Sequence, residues 1–170
     1  MNTLLIIGYT FPEPKTTAAG VRLMQLLDLF LDQAYNITFA TTANFSEKSE
    51  DLSKLGVGIE AIELNNNSFD IFISDLNPAV VLFDRYVTEE QFGWRVIAQC
   101  PKALRILDTE DLHFLRKARE EAVKKNISVD KANLFTDITK RELASILRCD
   151  LSLIISEYEL KLLQGTFRIS

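Results

Sequence analysis

Six times along the chain a short apolar run gives way to a stretch with helical spacing, and this alternation constrains the fold more than any other feature. Residues 3–7, closed by Gly8, and residues 79–83 are continuous apolar runs, the pattern of strands covered on both faces of a parallel sheet. Residues 36–42, 59–64, 103–107 and 151–155 supply four more strand patterns. Helical spacing is predicted over 18–34, 69–76, 111–125, 137–147 and 158–163, and from Thr88, at capping-box spacing from Gln91, to Gln99. Residues 46–55 read as a short charged helix or a loop, and 126–135 as a connector. Strands alternating with helices in this way predict an α/β fold: a doubly wound parallel sheet with right-handed crossovers and helices on both faces, in three α/β/α layers.

Punctuation refines that outline. Pro12 and Pro14 each fix φ and remove a donor, so residues 9–17 form a long loop. Thr16 or Thr17 then caps a helix whose inner stripe is Leu23, Met24, Leu27, Phe30, Leu31 and Ala34. Ala18, Ala19 and Gly20 are small, which suits either close helix packing or the close approach of a ligand. Asn77-Pro78 stops the second helical pattern and Gly165 closes the last one, Thr136 or Asp137 capping the one before it. The tail from Thr166 to Ser170 reads as the start of another strand, so residues 1–170 are expected to be one domain cut from something longer.

Composition excludes several partner classes. The formal net charge is −5, with 25% charged residues, which argues against nucleic acid or a polybasic membrane patch. No apolar run approaches the roughly 20 residues of a transmembrane helix, and the N-terminus has no basic leader. Cys100 and Cys149 are far apart and make neither a metal pair nor a redox pair. The expectation is a cytoplasmic protein with two buried thiols and no metal.

Polar residues gather where strands end. In open α/β sheets ligands bind outside the carboxyl ends of the strands. Three such places are Lys15-Thr16-Thr17 in the first loop, Asp84-Arg85, and Asp108-Thr-Glu-Asp-Leu-His113. The first offers helix amides to an anionic or hydroxyl-rich ligand, with Arg22 one turn further on, reaching that ligand or only surface. The third holds the chain's single histidine, the one side chain whose ordinary pKa lies near neutrality. His113 reads as a general base or hydroxyl-binding group oriented by Glu110 at i, i+3 spacing, or as a histidine satisfied by its own helix. Asp108 and Asp111 read as site carboxylates or helix caps. Neither Arg22 nor His113 lies on an apolar stripe, so their loss is expected to leave folding intact. The first turn lacks G-x-G-x-x-G, and the chain has no G-x-x-x-x-G-K-[ST] loop and no G-x-S-x-G elbow.

Three stretches resemble the N-terminal, Rossmann-like domain of retaining GT-B-fold glycosyltransferases that use sugar nucleotides. They are the Pro-containing loop leading to Ala18-Ala-Gly-Val-Arg22, the polar group Asp108 to His113, and Cys149-Asp-Leu-Ser-Leu-Ile-Ile-Ser-Glu-Tyr-Glu159. The resemblance covers essentially the whole chain. It implies transfer of a sugar from a nucleotide-sugar donor to a glycan or lipid-linked acceptor, with no further cofactor. It also implies a C-terminal Rossmann-like partner domain carrying most of the donor site, without which this domain is inactive. By the same resemblance His113 is the catalytic acceptor-side group, and Gly20 and Arg22 lie near donor phosphates and acceptor. Thr16, Thr17, Asp84, Arg85, Glu110 and Asp111 complete the expected substrate-binding set. The alternative is a non-catalytic Rossmann-like binding or scaffold module.

Overall fold

The computed structural model describes residues 2–169. Six parallel strands form one sheet: β1 (Thr3–Gly8), β2 (Asn36–Thr41), β3 (Gly58–Ala61), β4 (Val80–Asp84), β5 (Leu104–Asp108) and β6 (Leu151–Leu153). Their order is β3-β2-β1-β4-β5-β6. The chain winds outward from β1 to β3, then returns to β4 and winds the other way. β1 and β4 therefore flank the switch point, where the connections leave in opposite directions and a crevice opens at the carboxyl edge.

The helices are α1 (Ala18–Asp32), α2 (Ser68–Leu76), α3 (Arg85–Gln99), α4 (His113–Lys125), α5 (Asp137–Arg148) and α6 (Glu157–Thr166). The period-2 alternation of the strands divides the core in two. Leu4, Ile6, Val80, Leu82 and Ile106 meet Leu23 and Leu27 of α1 on one face. Leu5, Ile7, Val81, Phe83 and Leu107 meet the other five helices on the second face. Each fully buried side chain of this kind contributes about 1.5–3 kcal/mol, so the central strands anchor the fold. The predicted doubly wound α/β sandwich is present, with its helices shared one to five between the faces.

Several predicted boundaries move. Residues 46–55 yield only a 3-10 turn, Leu52–Leu55, and β3 stops at Ala61 rather than Leu64 because it is an exposed edge with little to bury. Thr88 is not a cap: α3 begins at Arg85, straight out of β4, and the Thr88 hydroxyl donates to the carbonyls of Asp84 and Arg85. α4 begins at His113 rather than Asp111, and β6 ends at Leu153. Gly165 lies inside α6, and the segment beyond that helix forms no strand: Phe167 and Ile169 fold back on the core, Phe167 with its ring against Phe114 and Phe135. Ser170 lies outside the described residues. No helix among them is long and apolar enough to cross a membrane.

Candidate functional site

The loop after β1 builds one wall of the crevice. Gly8, the last residue of β1, has no room for a side chain because the Phe39 ring passes beneath it; an added Cβ would lie 2.2 Å from that ring. Phe11 then turns inward against Phe39 and Phe45. The carbonyl of Glu13 accepts from the backbone of Thr16 and Thr17, and its carboxylate accepts from the hydroxyls of Thr16 (2.8 Å) and Ser46 (2.9 Å). Those two hydroxyls hold the Glu13 carboxyl below the usual carboxylate range. Thr17 is the cap, its hydroxyl accepting from Gly20 N at 3.0 Å. At Gly20 a Cβ would fall 2.5 Å from the Glu13 backbone, so the close approach foreseen at this glycine is made by the chain's own loop.

The ends of β4 and β5 build the opposite wall. Asp84 and Asp108 are register partners and point to the α1 face. Asp108 is buried and takes Arg22 in a forked contact, Nε at 2.9 Å from both oxygens and Nη2 at 2.6 Å from one. Asp84 is 5% exposed; its Oδ2 accepts from Tyr9 N at 3.0 Å, and its Oδ1 lies 3.4 Å from Arg85 Nε. Burial pushes the Asp84 carboxyl up from its ordinary value, against the pull of Arg85. Arg85 Nε is 3.0 Å from Glu110 Oε2, and the guanidinium lies 5.0 Å from the centroid of the Tyr9 ring. Burial raises the Glu110 carboxyl as well.

Arg85 and Glu110 both occupy the left-handed region, at φ +73° and +64°. Ala34, Asn77, Asn126 and Arg168 share that conformation but only end or follow helices. At Arg85 and Glu110 it turns the chain sharply at two adjacent strand ends, an arrangement that costs about 1–3 kcal/mol per residue and concentrates at binding sites.

Between the two walls lies a cavity of about 270 Å³, lined by Thr10, Phe11, Pro12, Glu13, Thr17, Ala19, Gly20, Leu23, Asp84 and Arg85. Of the predicted site residues, Thr17, Gly20, Asp84 and Arg85 line it. Glu110 supports Arg85 from behind, and Arg22 is tied to Asp108 beside it. Thr16 braces the loop and does not line the cavity. A larger groove of about 350 Å³ runs along β6 and α6, but its walls are mostly apolar and its carboxylate, Asp150, is bound to Arg105.

His113 stands apart from this cavity. It opens α4, largely buried, with its ring edge-on to Tyr86 at 5.3 Å. Its Nε2 has no hydrogen-bond partner among the described residues and lies 3.5 Å from Asp111 Oδ1, which is itself 3.3 Å from Arg116. Burial lowers its pKa to about 4, assisted by Arg116, so the imidazole is neutral at physiological pH. Glu110 does not orient it: the turn at Glu110 sends that carboxylate to Arg85 instead. Nor does Asp108 or Asp111 cap α4. Its first amides are taken by carboxylates from distant helices: Glu142 accepts from His113 N (3.0 Å) and Phe114 N (2.9 Å), and Glu159 from Leu112 N (3.2 Å). Glu142 is fully buried, and desolvation raises its pKa to about 7 against the pull of those two amides. Arg22 is expected from the sequence to be dispensable for folding, but its pairing with the buried Asp108 argues that its removal costs stability.

Tyr9, Glu13, Glu142 and Glu159 escaped the sequence reading. A signal existed for Glu142: it falls on the inner stripe of α5 with Thr139, Ser145 and Ile146, where a charged residue needs a buried partner. Among the described residues no group of three His, Cys, Asp or Glu side chains is arranged to hold a metal ion.

No protein-family model matches the chain, and no curated protein matches it. Among solved structures it is similar to a Methylobacillus flagellatus protein named for the NAD-dependent epimerases/dehydratases, at 11% identity and a TM-score of 0.48. That match covers 99% of this chain and 61% of the other, so the chain spans about three fifths of that protein. At this level nothing about that protein's cofactor or reaction carries over.

Proposed function

We propose that this chain is the acceptor-side Rossmann-like domain of a GT-B-fold retaining glycosyltransferase, paired with a C-terminal Rossmann-like domain that holds most of the nucleotide-sugar donor. The observation that carries this reading is the crevice at the β1/β4 switch point, walled by the loop that resembles the family's and by Asp84 and Arg85. In this reading the crevice faces the cleft between the two domains. Asp84 and Arg85 hold the acceptor, while Arg22, locked onto Asp108, fixes the spacing between α1 and β5. His113 lies outside the crevice, and a pKa near 4 makes its imidazole a poor proton acceptor at neutral pH, so this reading gives it no part in the transfer. A non-catalytic binding module is the second reading, favoured by the commitment of Arg22 and the Arg85 Nε edge to carboxylates of this chain.

The test is release of nucleoside diphosphate from uridine- or guanosine-diphosphate hexoses by the protein carrying this domain, with and without glycan acceptors. Acceptor-dependent release that Asp84→Asn lowers by about 10²-fold or more supports the reading. Absence of release with every donor removes the transferase and leaves the binding module.

A further inference from the structure

β3 lies at one end of the sheet, with no strand beyond it among the described residues. Ile62 N donates to Thr41 O, so the even positions of this segment turn their backbone groups to β2, and those of Ile59 and Ala61 point away from the sheet. All four residues of the strand are exposed, and none is a proline. An edge of this kind is a template for another extended segment unless something blunts it. The one charged residue on it is Glu60. Glu60 is the register partner of Ala40, which packs into the five-helix side of the core, so its side chain stands on that face beside α2.

An open groove of about 530 Å³ runs between the strand and the helix, lined by Glu60, Ser68, Ile71, Phe72, Asp75 and Leu76. Its floor is apolar: Ile71 is 65% exposed, and Phe72 and Leu76 are half-buried. Its charged residues are both acidic. Neither Glu60 nor Asp75 is in an ion pair among the described residues, whereas Asp70 on the same helix is taken by Arg95 at 2.6 Å. A second copy of this chain pairing here would bring its own Glu60 to the edge and be repelled. A lysine or arginine on an added strand does the reverse. It comes within cross-strand reach of Glu60, its stem on Ile71 and Phe72 and its head between the two carboxylates. The alternate residues of that strand fall on the other face, where an apolar or β-branched side chain suits the half-exposed Ile59. The edge at β6 carries no comparable selection, because its groove is mostly apolar and its carboxylate, Asp150, is held by Arg105.

We propose that the β3 edge takes up a basic extended segment of another protein as a seventh strand, in which Lys or Arg alternates with apolar residues and the cations meet Glu60 and Asp75. This surface is separate from the crevice, and the proposal does not rest on the transferase reading. The chain is titrated at low salt with two short capped peptides, one alternating valine with lysine and the other valine with glutamate, while backbone amide resonances and amide exchange are followed. Saturable shifts are expected at Ile59, Ala61, Ile71 and Asp75 with the lysine peptide, at concentrations below about 1 mM. In the complex the amides of Ile59 and Ala61 should exchange at least about tenfold more slowly, as new ladder hydrogen bonds require. Glu60→Lys combined with Asp75→Lys should weaken the lysine peptide by about tenfold and turn the preference to the glutamate peptide. Both positions are exposed, so the fold of this variant should be unchanged. Shifts without slower exchange at Ile59 and Ala61 would mean adhesion of charge without a new strand, and would overturn the proposal. Equal binding of the two peptides, saturation at Leu151 in place of Ile59, or no saturation with the lysine peptide would overturn it as well.

Discussion

α1 and α4 both begin at the carboxyl edge of the sheet, a loop beyond a central strand. The first turn of α1 is closed by a residue of its own neighbourhood, Thr17, which takes Gly20 N and leaves the amides of Ala18 and Ala19 without an acceptor among the described residues. The first turn of α4 is closed from a distance. Glu142 of α5 and Glu159 of α6 between them take three successive amides, and both carboxylates are buried. A helix start needs its orphan N–H groups satisfied, by a cap, by solvent or by a ligand. α4 has spent that capacity on the fold, whereas α1 keeps it at the mouth of a cavity. The polar stretch holding the single histidine, 108–113, therefore belongs mainly to the architecture, and the loop before α1 borders the crevice.

The contrast breaks first at Glu142. Glu142→Ala leaves two buried amides without acceptors and opens a void, at a cost of about 4–6 kcal/mol. The thermal unfolding midpoint, followed by circular dichroism, should fall by on the order of 10 °C or more. Arg22→Ala comes next. It leaves Asp108 buried and unpaired, for about 3–5 kcal/mol by denaturant titration, and Arg22→Lys recovers only part because the forked contact is lost. An unchanged midpoint in Arg22→Ala would return this residue to the surface role the sequence allowed it.

His113 sharpens the contrast through pH. Its folded pKa, about 4, lies below its ordinary 6.5, so the unfolded chain binds the extra proton. Stability from this group is full above pH 6.5 and is lost as pH falls towards 4, by about 3 kcal/mol at most. Glu142 has the opposite sign: its raised pKa gives stability that is present below about 4.5 and lost as pH rises through about 7. The difference between the protein and His113→Leu isolates the histidine. That difference should shrink between pH 6.5 and 4 in urea titrations; a constant difference would mean that the imidazole is not buried neutral. The smallest effect is expected at α1, where Thr17→Ala removes one exposed cap for about 1 kcal/mol.

Local patterns carry most of the fold in the sequence. The apolar runs at residues 3–7 and 79–83 and the stripe of α1 are read from neighbours a few positions apart; the runs stand, and so does the stripe from Leu23 to Leu31, while Ala34 falls past the helix end at Asp32 and is exposed. β3 and the 46–55 segment resist such reading because an exposed edge strand and a short 3-10 turn bury too little to leave a clear period. The site is legible only in part. That Thr17, Gly20, Asp84 and Arg85 lie at strand ends or helix starts comes from alternation and capping rules. That Arg22 meets Asp108, 86 positions away, and that Glu142 caps α4 depend on strand order and helix packing, which no local pattern encodes. His113 misleads for the same reason: Glu110, expected one helical turn before it, lies outside α4 and turns away at its own left-handed φ, while burial against Tyr86 sets its charge.

Hydrogen exchange at the two helix starts tests most directly whether one end is closed and the other open. In the free chain the amides of Leu112, His113 and Phe114 should exchange only through opening of the surrounding core, at least about 10³-fold more slowly than those of Ala18 and Ala19 after correction for intrinsic rates. Glu142→Ala should release His113 and Phe114 and leave Ala18 and Ala19 as they are. Equal protection at the two ends, or faster exchange at His113 and Phe114 than at Ala18 and Ala19, would contradict the division between a structural α4 and a ligand-facing α1.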